Sequence, residues 1–338
     1  NDEGHPAMDI RNPYLMFLGD APDDLAAKVA DGVAKWRPEW CKGQLRLEGC
    51  KADLGLPDMS LEAGREAGCQ TLVVGVANRG GRIPQNWRDS LERALTMGYD
   101  IASGLHNRLA DIETLRSLAE EHGRQLFDVR HPTQDFDVAK GSKRPGKRLL
   151  TVGSDCSVGK MFTSLAIHKT MQERGIKSSF RATGQTGIFI AGGGVSVDAV
   201  IADFISGATE WLCPDNDADH WDVVEGQGSL FHASFAGVSL GLLHGSQPDA
   251  MVLCHEPTRT HLRGLPDFPL PDLRECIRVN EEMARMVNPD ARVVGVSVNT
   301  SKVEKGRQDA VLEAIEKETG LPTVDAFRQG ADRLVDAL

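Results

Sequence analysis

The stretch GSDCSVGK at residues 153–160 decides the fold of the second half of the chain. It lies between an apolar run at 149–153 and a segment with helical periodicity at 160–173, and it matches the P-loop pattern G-x-x-x-x-G-K in its required strand-to-helix setting. The glycines let successive backbone N–H groups face one phosphate, the helix start adds positive charge, and Lys160 supplies a mobile cation. The sequence therefore predicts a P-loop α/β domain that binds a phosphorylated cofactor or nucleotide.

Met161 departs from the pattern of nucleotide hydrolases, which carry Ser or Thr after the lysine to hold Mg²⁺. This departure weakens the case for ATP cleavage more than the case for phosphate binding. Thr163 or Ser154 could replace the missing ligand, so a kinase or ligase stays open, while the pyrophosphate and ribose phosphate of coenzyme A offer the same kind of target. The predicted cofactor-binding residues are Gly153, Ser154, Asp155, Cys156, Ser157, Val158, Gly159, Lys160, Met161 and, at a strand end that suits adenine, Asn299.

Acidic residues follow the segments expected beside the P-loop. Glu225 ends the predicted strand 221–225, where P-loop proteins place the acid that holds Mg²⁺, and Asp203 lies in the run VIADFISG. Each carboxylate would bind a metal ion, act as a base or cap a helix. His232, in a glycine-flanked stretch, would take part in the chemistry or satisfy a local hydrogen bond. Glu225, His232 and Asp203 are the candidate catalytic residues.

A basic loop, CHEPTRTHLR at residues 254–263, follows the predicted strand 250–254. A guanidinium binds a carboxylate through two parallel hydrogen bonds, so the loop predicts a substrate clamp, with a solvated surface loop as the alternative. His255, Glu256 and His261 would permit a metal site, but nothing fixes its geometry, and we predict no metal. Cys156 is either a spacer or, with its pKa lowered by the helix start, an acyl carrier.

The first half of the chain predicts another parallel sheet. Its apolar runs at 14–18, 71–77, 100–103 and 126–129 alternate with helical segments, and each ends in a polar cluster. Open α/β sheets bind ligands at the carboxyl ends of their strands, and three of these clusters carry arginine. They therefore predict a crevice for an anion, with solvated loops as the alternative. The candidate substrate-binding residues of both halves are Arg79, Arg108, Arg181, Gln185, Thr186, Gln227, Arg259 and Arg263.

The prediction is thus an α/β chain of two doubly wound domains, at residues 8–131 and 149–338. The segment 132–148 between them has no periodicity, two prolines, two glycines and five basic residues, which is typical of a linker. A helix is expected over 197–211. The residues before Met8 lack the pattern of a signal peptide and are expected to be a vector remnant.

The composition of the chain limits the classes of partner that it is expected to bind. A net charge of -11 argues against nucleic acid, and no apolar run approaches the roughly 18 residues of a membrane span. The seven cysteines are odd in number and contain no C-x-x-C pair, so we expect a reducing cytoplasm rather than a disulfide framework. The expected partner is a small molecule, and a dimer is the default assembly.

Several long stretches resemble one family over nearly the whole chain. They include GVANRGGRIP at 75–84, SGLHNRLADI at 103–112, GSDCSVGKM at 153–161, RATGQTGI at 181–188 and VEGQGSLFH at 224–232. Together they are similar to the two-domain P-loop family that includes bacterial D-glutamate N-acetyltransferase. The resemblance implies a Rossmann-like N-terminal domain, a C-terminal P-loop NTPase-like domain, and transfer of acetyl from acetyl-CoA to the amino group of D-glutamate.

The resemblance also implies which residues bind the two substrates and which take part in the reaction. The P-loop would hold the nucleotide end of coenzyme A, the arginines would bind the acceptor's carboxylates, Glu225 or His232 would be the base, and Gln227 or backbone N–H groups would hold the oxyanion. The second half is also similar to dethiobiotin synthetase, in which an Asp and a Glu that match Asp203 and Glu225 collect Mg²⁺. An ATP- and Mg²⁺-dependent ligase or kinase acting on a small carboxylate is therefore the alternative, and a nucleotide sensor without turnover is a third.

Overall fold

Two parallel sheets organise the chain in the computed structural model, which describes residues 8–78 and 80–338. The residues before Met8 and the candidate Arg79 lie outside the described residues. One unit, here the N-terminal unit, contains the described chain up to Gln134 together with Gly184–Ala199. The other, the P-loop unit, contains Asp135–Thr183 and Val200–Leu338. The predicted α/β fold with parallel sheets is confirmed.

The N-terminal sheet has the strand order β2-β1-β3-β4-β5, all parallel. Every residue of the first strand is buried, as expected when helices cover both faces of a parallel sheet. All four predicted strands are present, and the second strand was not predicted. The strands are β1 (Tyr14–Gly19), β2 (Cys41–Arg46), β3 (Thr71–Val74), β4 (Asp100–Ser103) and β5 (Leu126–Asp128); the helices are α1 (Lys28–Trp36), α2 (Leu61–Glu66), α3 (Gln85–Thr96) and α4 (Glu113–His122).

The sheet of the P-loop unit has six parallel strands in the order β13-β12-β9-β6-β8-β7, and β10 and β11 form a separate antiparallel hairpin. The strands of this half are β6 (Lys147–Gly153), β7 (Ser178–Arg181), β8 (Trp221–Val224), β9 (Ala250–His255), β10 (His261–Leu262), β11 (Leu265–Pro269), β12 (Arg292–Val298) and β13 (Thr323–Val324). The helices are α5 (Lys160–Glu173), α6 (Gln185–Ala191), α7 (Ile205–Leu212), α8 (Ala236–Ser246), α9 (Leu273–Arg285), α10 (Gln308–Thr319), α11 (Ala326–Gln329) and α12 (Asp332–Asp336).

The segment that carries α6 follows β7 in the chain but belongs to the N-terminal unit. There the Tyr14 hydroxyl donates to the carbonyl of Phe189 at 3.0 Å, and Arg37 Nε donates to the carbonyl of Ile190 at 3.0 Å. Both α6 side chains are fully buried. Tertiary contacts, rather than local propensity, therefore hold this short helix.

The helix expected over 197–211 is wrong in its first half. Val197–Ala199 and Ala202–Phe204 are 3-10 turns, and only Ile205–Leu212 is α-helical. Ile201, an apolar residue of this segment, is 71% exposed and so has no core to face.

Most of the segment predicted as a linker is packed against the P-loop unit. Arg144 donates to the carbonyls of Cys213 and Gly245, each at 2.6 Å. The Glu210 carboxylate accepts the backbone N–H groups of Lys140 at 2.9 Å and Gly141 at 2.8 Å. The chain from Asp135 onward is thus part of that unit.

A buried ion pair joins β7 to β8. Arg181 Nε donates to Asp222 Oδ1 at 2.7 Å, and the two side chains are 2% and 1% exposed. The pairing follows from the parallel register, which sets Ser179 beside Asp222. Arg181 was predicted to bind substrate, and this enclosed position corrects the prediction, because its guanidinium is turned into the protein and already paired.

We expect Asp222→Ala to lower the free energy of unfolding of the protein by about 3–5 kcal/mol, because it leaves a buried guanidinium without its carboxylate. Urea denaturation followed by circular dichroism measures the change. The matched control is Asp219→Ala, which removes an exposed partner of Lys177 and should leave the unfolding midpoint almost unchanged. Equal midpoints for the two variants would contradict a structural role for the pair.

No helix among the described residues is long and apolar enough to cross a bilayer. All seven cysteines carry free thiols, and five of them are buried.

Candidate functional site

The P-loop lies in the middle of its sheet. Strand β6 pairs with β8 on one side and β9 on the other, so the loops that follow all three strands meet at one edge. The backbone N–H of Ser154 donates to the carbonyl of Cys254 at 3.1 Å, which fixes the loop to β9. Ser157 has φ of 54° and Gly159 has φ of 93°. A serine in this left-handed region is uncommon and marks a functionally constrained turn.

Lys160 is enclosed in the loop that it completes. It is 6% exposed, and its Nζ donates to the carbonyl of Asp155 at 3.1 Å. Burial lowers the pKa of this ammonium because the charged form loses its hydration. A side chain at Gly226 would place its Cβ 1.7 Å from the Thr151 carbonyl and 3.1 Å from Lys160 Cδ. Only glycine lets the loop after β8 pack against the lysine.

Two arginines from the loop after β9 hold the P-loop in place, and we call Arg259 and Arg263 the arginine strap. Arg259 Nη1 donates to Asp155 Oδ2 at 2.7 Å and to the Cys156 carbonyl at 2.6 Å, and Nη2 donates to the Ser157 carbonyl at 2.7 Å. Arg263 donates its backbone N–H to Asp155 Oδ2 at 2.8 Å and its guanidinium to the Ser157 hydroxyl.

The strap corrects the prediction of a substrate clamp. Arg259 does bind a carboxylate, through a single Nη1 hydrogen bond rather than the two-point fork, but the carboxylate is that of Asp155 in the P-loop itself. Both Nη atoms of Arg259 donate hydrogen bonds to the P-loop. The side chain therefore positions the phosphate-binding backbone and does not face an acceptor.

The electrostatics of Asp155 follow from this arrangement. Burial works to raise its pKa, but the hydrogen bonds from Arg259 and from the backbone of Arg263 and Cys156 outweigh burial and lower it. The strap therefore stabilises the loop fully above the unfolded carboxyl pKa of about 3.9, and this stabilisation is lost as the pH falls through the folded pKa.

Burial and the neighbouring Asp155 raise the pKa of the Cys156 thiol, so the thiol is not activated as an acyl carrier.

His232 lies at the P-loop, as a catalytic role requires. One ligand atom each from Asp155, Cys156 and His232 falls within 4.8 Å of the others. The imidazole Nε2 pairs with the Arg263 carbonyl at 2.8 Å, and Nδ1 accepts the N–H of Ser234 at 3.2 Å. We assign no metal to this cluster, because the Asp155 oxygens already accept an arginine and two backbone N–H groups.

The two hydroxyls that could stand in for the missing metal ligand are engaged elsewhere. Thr163 Oγ1 pairs with Ser297 Oγ at 2.7 Å, and Ser154 Oγ pairs with His255 Nδ1 at 2.8 Å. Burial lowers the pKa of His255 to about 4, so its imidazole is neutral at neutral pH. Met161 follows the lysine at the start of α5.

Glu225 and Gln227 lie in the loop after β8. Glu225 is 4% exposed, and its Oε2 accepts the N–H of Thr183 at 2.9 Å. Gln227 Nε2 donates to Thr183 Oγ1 at 3.1 Å, and that hydroxyl donates to the Glu225 carbonyl at 2.6 Å. Asp203, by contrast, is an exposed residue of a 3-10 turn, and no described contact brings its carboxylate to the P-loop.

An apolar pocket of about 610 Å³ opens beside the P-loop. Phe162 of α5 and Phe327 of α11 form one wall, with ring centroids 5.3 Å apart. Asn299, the predicted adenine partner, also lines the pocket, together with Lys305. Its role in binding adenine stays a prediction, and neither phenylalanine was predicted, since neither belongs to a motif.

The remaining substrate candidates lie in the N-terminal unit. The Gln185 amide, oriented to satisfy both of its groups, donates to the Gly104 carbonyl at 2.9 Å and accepts from Arg130 Nη2 at 3.1 Å. Thr186 follows it on α6, and Arg108 is exposed just before a 3-10 turn. Gln185 and Thr186 belong to the N-terminal unit, and their role in substrate binding stays a prediction.

The fold and site define a two-domain α/β protein with a Rossmann-like unit and a P-loop unit. Residues 45–132 match the domain of unknown function (DUF1611_N) Rossmann-like domain, and residues 137–335 match the domain of unknown function (DUF1611_C) P-loop domain. The chain belongs to the DUF1611 family.

Similar proteins cover its whole length. A protein of Tritonibacter scottomollicae named D-glutamate N-acetyltransferase is 58% identical over 97% of this chain and 99% of its own length. A protein of the same name from a Pseudoalteromonas species is 50% identical over 97% and 99%. The crystal structure of a DUF1611 family protein from Anabaena variabilis has a TM-score of 0.83 and is 35% identical, covering 96% of this chain and 99% of that one.

We expect Asp155→Asn to weaken the binding of inorganic pyrophosphate at the P-loop about tenfold, or about 1.4 kcal/mol, because the amide removes the charge that holds Arg259 on the loop. Isothermal titration calorimetry with pyrophosphate measures this change. Asp267→Asn, an exposed residue of the β10-β11 hairpin, is the matched control and should bind as the wild type does. Unchanged affinity in Asp155→Asn would show that the strap does not shape the phosphate site.

Proposed function

We propose that the protein transfers an acetyl group from acetyl-CoA to the amino group of D-glutamate. The observation that carries the proposal is the continuity of the P-loop with the apolar pocket, because Val158 and Gly159 of the P-loop line the pocket. Such a site suits a molecule with a pyrophosphate next to a flat base. The names of the two relatives, at 58% and 50% identity, support an N-acetyltransferase that acts on D-glutamate.

The donor's nucleotide end fits the residues present. The P-loop N–H groups and Lys160 would bind the pyrophosphate, and the start of α5 adds its positive end. Phe162 and Phe327 would stack on the adenine, with Asn299 as an amide partner for the base edge. The hydroxyls at Thr163 and Ser154 are occupied, so this grip does not depend on a metal ligand after the lysine.

The transfer itself needs a base and a site for negative charge. The acceptor's ammonium loses a proton to the base, its nitrogen bonds to the thioester carbon, and the carbonyl oxygen becomes an oxyanion. As the oxyanion reforms the carbonyl, the carbon–sulfur bond breaks, the nitrogen loses its second proton, and the departing thiolate takes up a proton. Glu225 is our candidate for the base, since it directly follows β8 and precedes Gly226, which packs on Lys160. Gln227 or backbone N–H groups are our candidates for holding the oxyanion.

His232 is the weaker candidate for the base. Its Nε2 is within 2.8 Å of the Arg263 carbonyl, a group that only accepts, so this nitrogen carries the proton. Its Nδ1 accepts the N–H of Ser234. In this arrangement the imidazole locks the strap to the loop after β8, which is a positioning role.

The test is free-thiol release from acetyl-CoA by the purified protein, with D-glutamate, L-glutamate or no acceptor, each with and without Mg-ATP. We expect release that depends on D-glutamate and ignores ATP. Glu225→Gln should lower kcat by 10² or more while the KM for acetyl-CoA changes little. No thiol release in any mixture, together with formation of ADP when ATP is present, would reject the acetyltransferase and favour the ligase alternative.

We expect Phe327→Ala to raise the KM for acetyl-CoA about tenfold, because stacking of a base on an aromatic ring contributes about 1–3 kcal/mol. Phe327 is 78% exposed, so the truncation should leave the melting temperature unchanged. Phe268→Ala removes another exposed phenylalanine, on β11, and is the matched control. A KM that rises equally in both variants, or in neither, would contradict the adenine pocket.

A cytoplasmic location and a dimer complete the proposal. The free thiols suit a reducing compartment, and closed dimers are the commonest assembly of such enzymes.

A further inference from the structure

A cavity of about 170 Å³ lies within the N-terminal unit. It opens at the carboxyl ends of β3 and β4, where the loops 75–81 and 104–106 begin, and α1 contributes Val29 to its wall. The strand order β2-β1-β3-β4-β5 reverses direction between β1 and β3. Open α/β sheets bind their ligands at the carboxyl ends of the strands, and the cavity lies at that edge, next to β3, which is one of the two strands that flank the reversal.

The polar lining of the cavity favours an anion. Arg130, His106, Asn78 and Gln185 line it together with three glycines, and no acidic residue is among its described lining residues. Asp198 is the carboxylate nearest to Arg130 in any described ion pair, at 3.9 Å from Nη1 and half exposed. The charge of the guanidinium is therefore only partly offset.

Two of the three guanidinium nitrogens of Arg130 form hydrogen bonds that hold the side chain in place. Its Nε donates to the Gly104 carbonyl at 3.0 Å, and its Nη2 donates to the Gln185 amide at 3.1 Å. The Nη1 group makes no hydrogen bond with any described residue. A guanidinium that is fixed at two nitrogens is pre-organised to bind a carboxylate oxygen at the third, where Asp198 at 3.9 Å forms an ion pair but no hydrogen bond.

The volume of the cavity limits the size of the ligand that it can bind. Pockets for drug-sized molecules begin at roughly 300 Å³, so 170 Å³ suits something much smaller than a nucleotide. Val29, Val74, Val76 and Leu105 form an apolar wall that suits a short hydrocarbon chain.

A larger cleft in the same unit, of about 620 Å³ beside β2 and α2, lacks this character. Its arginines are already paired, Arg46 with Asp58 at 2.7 Å and Arg93 with Glu62 at 2.6 Å. No described arginine of that cleft is left to attract an anion.

We propose that the cavity of the N-terminal unit binds a small carboxylate through Arg130, and that its ligand is the acceptor amino acid. The identity of the ligand rests on the proposed function, whereas the carboxylate site rests on the cavity alone.

Calorimetry with D-glutamate and with glutarate, which has the same carboxylates but no amine, tests the site. We expect Arg130→Gln to weaken the binding of both ligands at least tenfold and Arg130→Lys to weaken it less, with coenzyme A binding unchanged. The matched control is Arg124→Gln: Arg124 also donates to two backbone carbonyls of this unit, those of His122 and Gly98, but does not line the cavity. Wild-type affinity for both ligands in Arg130→Gln overturns the proposal.

A second measurement uses the wild-type protein, in case the variants unfold. Phenylglyoxal modifies accessible arginines, and mass spectrometry reports the modified peptide. We expect D-glutamate or glutarate to slow modification at Arg130 and not at Arg124, and equal modification with and without these ligands overturns the proposal. Protection by either ligand without thiol release from acetyl-CoA would keep the carboxylate site and reject the acetyltransferase. Thiol release with a KM for D-glutamate that Arg130→Gln does not change would keep the enzyme and reject this site.

Discussion

The central position of β6 is the constraint on which the candidate site depends. Parallel hydrogen bonding to β8 and β9 aligns the three strands, so their carboxyl ends reach the same edge of the sheet. Residues that are about a hundred positions apart in the chain therefore become neighbours, as in the contact of Ser154 with His255. The loop glycines act within this frame: Gly226 has no side chain because the carbonyl of β6 and the P-loop lysine fill that space.

A second principle is that the carboxylate of the P-loop is matched by protein charges, whereas no described carboxylate pairs with the P-loop lysine. The arginine strap neutralises Asp155, and its guanidinium groups hold the curl of the P-loop from outside. Lys160 remains with one loop carbonyl as its described hydrogen-bond partner, and burial disfavours its charged form. A phosphate would restore the balance, which is why a buried ammonium in a cradle of N–H groups binds anions strongly.

The sequence predicted most strands, the P-loop and the strand-end position of Glu225, because each depends on a local pattern. It failed where a distant contact decided the outcome. Helix α6 is short and is formed by burial against the N-terminal unit, which no periodicity reveals. Arg181 and Arg259 were both expected to meet a substrate. Their partners are instead protein carboxylates, Asp222 and Asp155, which the strand register and the loop conformation bring to them.

The path of the chain has a consequence for how this protein can be divided or recombined. Within residues 8–338, the backbone passes between the two units after Gln134, after Thr183 and after Ala199. Neither unit is one continuous piece of sequence, so a gene fragment ending at Gln134 would encode a sheet without the helix that covers Tyr14 and Arg37. A recombination with one junction therefore cannot exchange either unit intact, because Gly184–Ala199 of the N-terminal unit lies between two segments of the P-loop unit. The two units have to be kept together in one gene and folded as one chain.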